Sequence, residues 1–375
     1  MKKSNILFFV FCFLLLWSCR KDKLDILPEP AVSRTVLVYM GGNNNLQNET
    51  YEKIESLKEG YKSGMGRLLI YQAVRDATPR LLEIYADPSG KGRERLLKTY
   101  EKHNAADANV FAQVLLDVKQ AAPAQSYGLI LFSHASGWLP QGTLNKPRTL
   151  LQNQENDLEL RNLAAVLPDQ SFDFMIFESC FMTGIEVVYE LKDKTRYIIA
   201  SSAEILSPGF TPIYPKLLPY LYTKEADLKG FSETIFSYYN NLSGDYRSAT
   251  ISLIDVRPLP QLAEWVRANA SKPLKESELK LVQHFDRYTN YRLFFDFADY
   301  YNKRTMSQSQ VTLQSILDKI IVYKASTPQF LLGQSGFTIR THSGITSYIP
   351  QTRFPYLNTE YAKLKWAAET QINRD

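Results

Sequence analysis

Cysteine is scarce in this chain: three in 375 residues, at positions 12, 19 and 180. A disulfide-built domain is excluded, because Cys180 stands alone after the first nineteen residues. Histidine is scarce too, and the four present (His103, His134, His284, His342) form neither an H-E-x-x-H run nor a Cys/His cluster, so no zinc site is legible. A phosphate loop is missing: Gly41-Gly42 is followed by Asn, not by the Lys-Ser/Thr pair such a loop needs. Net charge is small, +5. No stripe of Lys and Arg interleaves with aromatics, so nothing argues for nucleic acid as a partner and the charges read as a solvated surface. Internal repeats and low-complexity stretches are also absent.

What is present begins with an export signal. Lys2 and Lys3 precede an apolar run from Ile6 to Trp17, too short to span a bilayer comfortably, and then Ser18-Cys19. Leu16-Trp17-Ser18-Cys19 resembles a bacterial lipoprotein box. On that reading residues 1–18 are removed, lowering the charge to +3, and Cys19 becomes the lipidated first residue of a protein held to the cell envelope, the outer membrane being the expected one. An uncleaved N-terminal anchor is the other reading, and both put the globular part outside the cytoplasm. Residues 19–33, with Pro28-Glu29-Pro30, form a tether, and 34–375 the domain. Cys180 is then the sole thiol of the mature domain, in a compartment that exposes it to oxidation, which favours a chemical use.

Short β-rich runs alternate with helical patterns, predicting an α/β fold with a mainly parallel sheet covered on both faces. Strands are expected at Thr35–Met40, Arg67–Ala73, Arg80–Tyr85, Tyr127–Phe132, Phe172–Phe177, Tyr197–Ala200 and Ala249–Val256, with a short late strand or turn at Ile345–Pro350. Helices are expected at Asn48–Tyr61, Ala108–Ala121 (stopped by Pro123), Asp157–Leu167, Thr183–Leu191, Phe231–Asn241, Leu259–Ala268, Val311–Val322 and Glu360–Gln371. One large domain fits, with room for a C-terminal subdomain from about residue 257.

Two of the buried strands end in His134 and Cys180, at the carboxyl edge of the sheet, where ligands bind in open α/β folds. A thiolate attacks a carbonyl well only when its proton is taken or its charge stabilised, and an imidazole on the next strand does both. Each residue alone has an ordinary reading, as a packed thiol or a structural histidine. The small residues in Ser133-His134-Ala135-Ser136-Gly137-Trp138 let a carbonyl approach the backbone, so the N–H groups of Ala135 and Cys180 are candidate oxyanion donors; a plain tight turn is the alternative.

FSHASGW, FDFMIFESCFMTGIEVVYEL and YIIASSAEILSPGF resemble the His, Cys and following-strand blocks of clostripain-like peptidases, the C11 family of the caspase-like clan. TVLVYMGGNNNL, GRLLIY, HSGITSYIP and YAKLKWAAET extend the resemblance over nearly all of residues 34 to 371. It implies a caspase-like α/β/α sandwich with a C-terminal helical extension, a His134–Cys180 dyad, and cleavage of peptides or proteins after Arg or Lys through a thioester. It also implies that Glu178, with Ser201, Ser202 and Glu204, forms the pocket for the P1 side chain, where a carboxylate suits a cation. Ala135 replaces the family's usual Gly and Glu178 its usual Asp, so strict basic specificity is in question; a solvated strand-end charge is the plain reading of Glu178. A lipoprotein that keeps this fold but only binds peptides or other envelope components is the rival function. Some relatives are activated by Ca2+ and by internal cleavage, for which Gln141 to Asn156, with Lys146 and Arg148, is the segment to watch.

Overall fold

The computed structural model describes residues 32–141, 143, 151–153, 156–269, 273–287 and 292–371, with backbone alone over 151–157. Cys19, Lys146 and Arg148 lie outside the described residues. A nine-stranded sheet organises the chain. Its strands are β1 (Val32–Gly42), β2 (Arg67–Val74), β3 (Arg80–Ala86), β4 (Gly92–Thr99), β5 (Ala124–Phe132), β8 (Phe172–Glu178), β9 (Thr195–Ala200), β10 (Thr250–Asp255) and β12 (Ile321–Ser326). They lie in the order β12-β10-β9-β8-β5-β1-β2-β3-β4. β6 (Leu151–Asn153) and β7 (Asn156–Leu158) form a separate hairpin, and β11 (Phe295–Asp296) pairs with Thr346–Ser347.

The five inner strands, β9 to β2 in that order, run parallel, and the pairs beyond them are antiparallel. Inner strands are continuous apolar runs because both faces are covered. Val36, Val38 and Met40 point to helices α1 (Gln47–Gly60), α5 (Tyr214–Leu221) and α6 (Leu228–Asn240). Leu37 and Tyr39 point the other way, to α2 (Ala108–Ala121), α3 (Leu160–Val166), α4 (Ile185–Glu190), α7 (Leu259–Asn269), α8 (Phe297–Asn302) and α9 (Ser307–Ile320). The result is the α/β sandwich that the alternation predicts. Asp107 starts α2 by accepting from the N–H groups of Asn109 and Val110, as an N-cap carboxylate should.

Departures from the sequence reading have local causes. β4 and β12 were not expected: both are edge strands whose residues are mostly exposed or half-buried, so neither carries the fully buried apolar run that marks the centre of the sheet. α5 was hidden by Pro215 and Pro219. The helix expected from Asp157 starts at Leu160, after β7, and the one expected to run to Val322 stops at Ile320, where the chain joins the sheet. Glu360–Gln371 is not one helix but the end of one, Pro355–Tyr361, and the whole of a second, Lys365–Thr370.

The last third of the chain is tied to the segment that follows β8. Glu186 on α4 is buried and accepts from Tyr348 N at 2.7 Å and Ser347 Oγ at 3.3 Å, while Thr346 N donates to Thr183 O at 3.2 Å. Burial pushes the Glu186 carboxyl up to about 7, and that of Asp296, which accepts from Ser343 N at 2.6 Å, up to about 6. Because the folded state holds these protons more tightly than the unfolded chain, their contribution to stability is full below about pH 4 and is lost as pH rises through about 6 to 7. Glu186→Gln is therefore expected to flatten the fall in urea midpoint between pH 5 and pH 8; an unaltered slope would remove Glu186 from this account.

Candidate active site

Register sets the geometry. β5 and β8 are parallel with Phe132 opposite Glu178, so His134 and Cys180 each stand two residues beyond a matched pair. β1 lies on the other side of β5 with Met40 opposite Phe132, and its exit turn carries Asn45. Three neighbouring strands thus deliver Asn45, His134 and Cys180 to the carboxyl edge of the sheet. All three line one cavity of about 210 Å3, with Glu49, Glu178 and Ser207 among its other walls.

His134 is partly exposed, and its Nε2 lies 2.6 Å from Asn45 Oδ1. An amide oxygen only accepts, so Nε2 carries the proton and Nδ1 is the basic nitrogen. Asn44 shapes the turn that holds Asn45: its Oδ1 accepts from Leu46 N at 2.8 Å and its Nδ2 donates to Gly41 O at 3.2 Å. Cys180 is partly exposed, and its Sγ accepts from Ile205 N at 3.4 Å, a dipole that favours thiolate. Phe181, next in the chain, is held at φ 61°, a conformation that strains a residue with a side chain. Its N–H donates to Ala203 O at 3.0 Å and its ring stacks on Phe294 at 4.4 Å, contacts that offset the strain. The histidine loop docks on this turn: a Cβ at Gly137, φ 63°, would come within 2.8 Å of Phe181 O, so glycine is needed there.

Ala135 follows His134, and the methyl that sets it apart from glycine packs into the buried cluster on the Leu37 face. Glu178 lies at the cavity but is only 2% exposed. Its Oε1 accepts from Lys53 Nζ at 2.7 Å and Phe210 N at 2.5 Å, and its Oε2 from Tyr214 OH at 2.7 Å. Ser201, Ser202 and Glu204 stand outside the cavity lining. Ser201 Oγ bonds Thr250 Oγ1 at 2.8 Å; Ser202 Oγ bonds Thr183 Oγ1 at 2.8 Å and His342 Nε2 at 3.1 Å. Glu204 pairs with Arg287 at 2.5 Å. Ile205, Leu206 and Ser207, just after them, are the residues that reach the cavity.

Sequence reasoning missed Lys53 and Asn45. Lys53 sits in the stripe Thr50, Lys53, Ile54, Leu57 by which α1 faces the core, and a charge in an apolar stripe was the available signal. Among the described residues no group of three or more His, Cys, Asp or Glu gathers to hold a metal such as calcium.

The profile of the clostripain family, peptidase C11, matches residues 38–330. The chain belongs to the clostripain family. Clostripain of Hathewaya histolytica is 23% identical over 441 aligned positions, covering 90% of this chain and 83% of that one. An inactive zymogen C11 protease from Parabacteroides distasonis superposes with a TM-score of 0.80 at 30% identity, covering 91% of this chain and 99% of that one. A clostripain from Bacteroides thetaiotaomicron, solved with the peptide inhibitor BTN-VLTK-AOMK, has a TM-score of 0.51 at 28% identity, covering 58% of this chain and 96% of that one. Membership of the clostripain family makes this protein a cysteine-type peptidase, a hydrolase acting on peptides, with the caspase-like sheet found in the solved members.

Proposed function

We propose that the protein is a cell-envelope endopeptidase in which Cys180 and His134 act as a catalytic dyad and cleavage follows Arg or Lys. The observation that carries this is the matched register of β5 and β8, which delivers imidazole and thiol to one cavity. His134 Nδ1 takes the thiol proton, and Sγ attacks the carbonyl carbon of the scissile bond. The oxyanion is received by the N–H groups of Ala135 and Cys180. The imidazolium then gives its proton to the departing amine, leaving a thioester that water hydrolyses with His134 as base. A substrate ending in a basic residue is supported by the clostripain inhibitor whose peptide letters, VLTK, end in lysine. A thiol-reactive peptide ketone with Lys at P1 is the direct test: rapid, single-site labelling at Cys180 by intact mass is expected, and labelling no faster than that of a free thiol would sink the proposal.

Asn45 is a positioning residue here, since its carboxamide oxygen takes up His134 Nε2 and leaves Nδ1 as the nitrogen able to accept a proton. Asn45→Ala is expected to lower kcat about a hundredfold with little change in KM, and to shift the pH profile of Cys180 alkylation. An unchanged profile would remove Asn45 from the site. The envelope location rests on Cys19: Cys19→Ala should move the protein from the membrane fraction to the soluble one, and retention on membranes would overturn the lipid anchor.

A further inference from the structure

The cavity beside Cys180 is walled by two carboxylates that differ in what they hold. Glu178 receives three hydrogen bonds among the described residues, from Lys53, Phe210 and Tyr214. Lys53 is itself fully buried, donates also to Thr211 Oγ1 at 2.7 Å, and lies 4.3 Å from the centre of the Phe132 ring. Its positive charge cancels that of Glu178 across 2.7 Å, and swinging it away to release Glu178 would strand a buried cation. Glu49 lies one helical turn before Lys53. It receives one hydrogen bond among the described residues, from Ser207 Oγ at 2.9 Å, and its other oxygen stands 3.8 Å from Lys53 Nζ. Its side chain keeps 11% of its surface exposed, against 1% for Glu178. A Cβ at Gly209 would lie 3.3 Å from Glu49 Oε1 and 2.3 Å from Glu178 Oε1, so the bare backbone there leaves the space into which both carboxylates face. Burial raises the Glu49 pKa while Lys53 opposes the rise, as for a carboxylate short of donors.

Building on the proposed peptidase function, we infer that Glu49, and not Glu178, is the carboxylate that meets a cationic P1 side chain, and that Lys53 holds Glu178 out of that role as part of the pocket wall. The three charges sum to one negative charge, carried at the accessible end by Glu49. A guanidinium or ammonium entering the cavity adds the donors that Glu49 is short of, whereas Glu178 already holds three donors and a buried cation.

The test compares two peptide amides that differ only in Arg against citrulline at P1, an isosteric change that removes the charge. Glu49→Gln is expected to lower the Arg-to-citrulline ratio of kcat/KM about tenfold or more. The paired change Lys53→Met with Glu178→Gln, which removes both members of the buried ion pair together, is expected to keep that ratio. A ratio unmoved in Glu49→Gln, or lost in the paired variant, overturns the assignment. Cys180→Ala separates the two levels: turnover that survives it sinks the peptidase reading and this inference with it, whereas Cys180-dependent turnover with a ratio indifferent to Glu49 sinks this inference alone.

Discussion

Cys180→Ala is expected to abolish hydrolysis of an Arg or Lys ester, by about four orders of magnitude or more, with the thermal midpoint moved by only a few degrees. The size follows from the chemistry, because without sulfur there is no thioester and the cavity retains only binding and polarisation. The small change in stability follows from position: the side chain is partly exposed at the carboxyl edge of the sheet and packs against the main cluster without being part of its buried core. Steady-state rates and a melting curve on the same preparation check both halves. Turnover in the variant above about a hundredth of wild type would move the nucleophile elsewhere.

Lys53→Met is expected to destabilise the fold by about 3–5 kcal/mol, since it removes one partner of a buried ion pair and leaves Glu178 to be buried charged or to take up a proton. Adding Glu178→Gln should restore most of the loss, because the remaining groups are then neutral: Phe210 N can still donate to the amide oxygen, and the amide NH2 can donate to the Tyr214 hydroxyl in place of the bond that hydroxyl gave. Urea unfolding of the two single variants and the double one measures the coupling. Additive losses would mean that the two side chains do not stabilise one another. The same pair ties together the wall of the cavity nearest β8: Lys53 on α1, Glu178 at the end of β8 and Thr211 before α5 are joined through one ammonium group.

The candidate site was legible in part as residues that share one cavity. His134 and Cys180 could be found because each follows an apolar run that must be an inner parallel strand, and a strand's end is where its chain leaves the core. Glu178 was legible as a residue at the cavity, but not its partner, since Lys53 lies 125 positions earlier on a helix that reaches β8 only through folding. Ser201, Ser202 and Glu204 follow a strand just as Cys180 does, yet they turn to Thr250, His342 and Arg287, residues supplied by distant segments. Nothing in their own neighbourhood announces those partners. Asn45 was visible as one of three consecutive asparagines, and only the placement of β1 beside β5 selects it for His134.

By itself the sequence determined the inner strands, most of the helices facing them and the two residues at the carboxyl edge, because these follow from apolar periodicity and from where it stops. Tertiary structure alone decided which polar groups share charge and protons across the cavity. Hydrogen bonds and ion pairs reach only about 3 Å, and the chain brings Asn45 to His134, Lys53 to Glu178 and Glu49 to Ser207 over separations that no local pattern records.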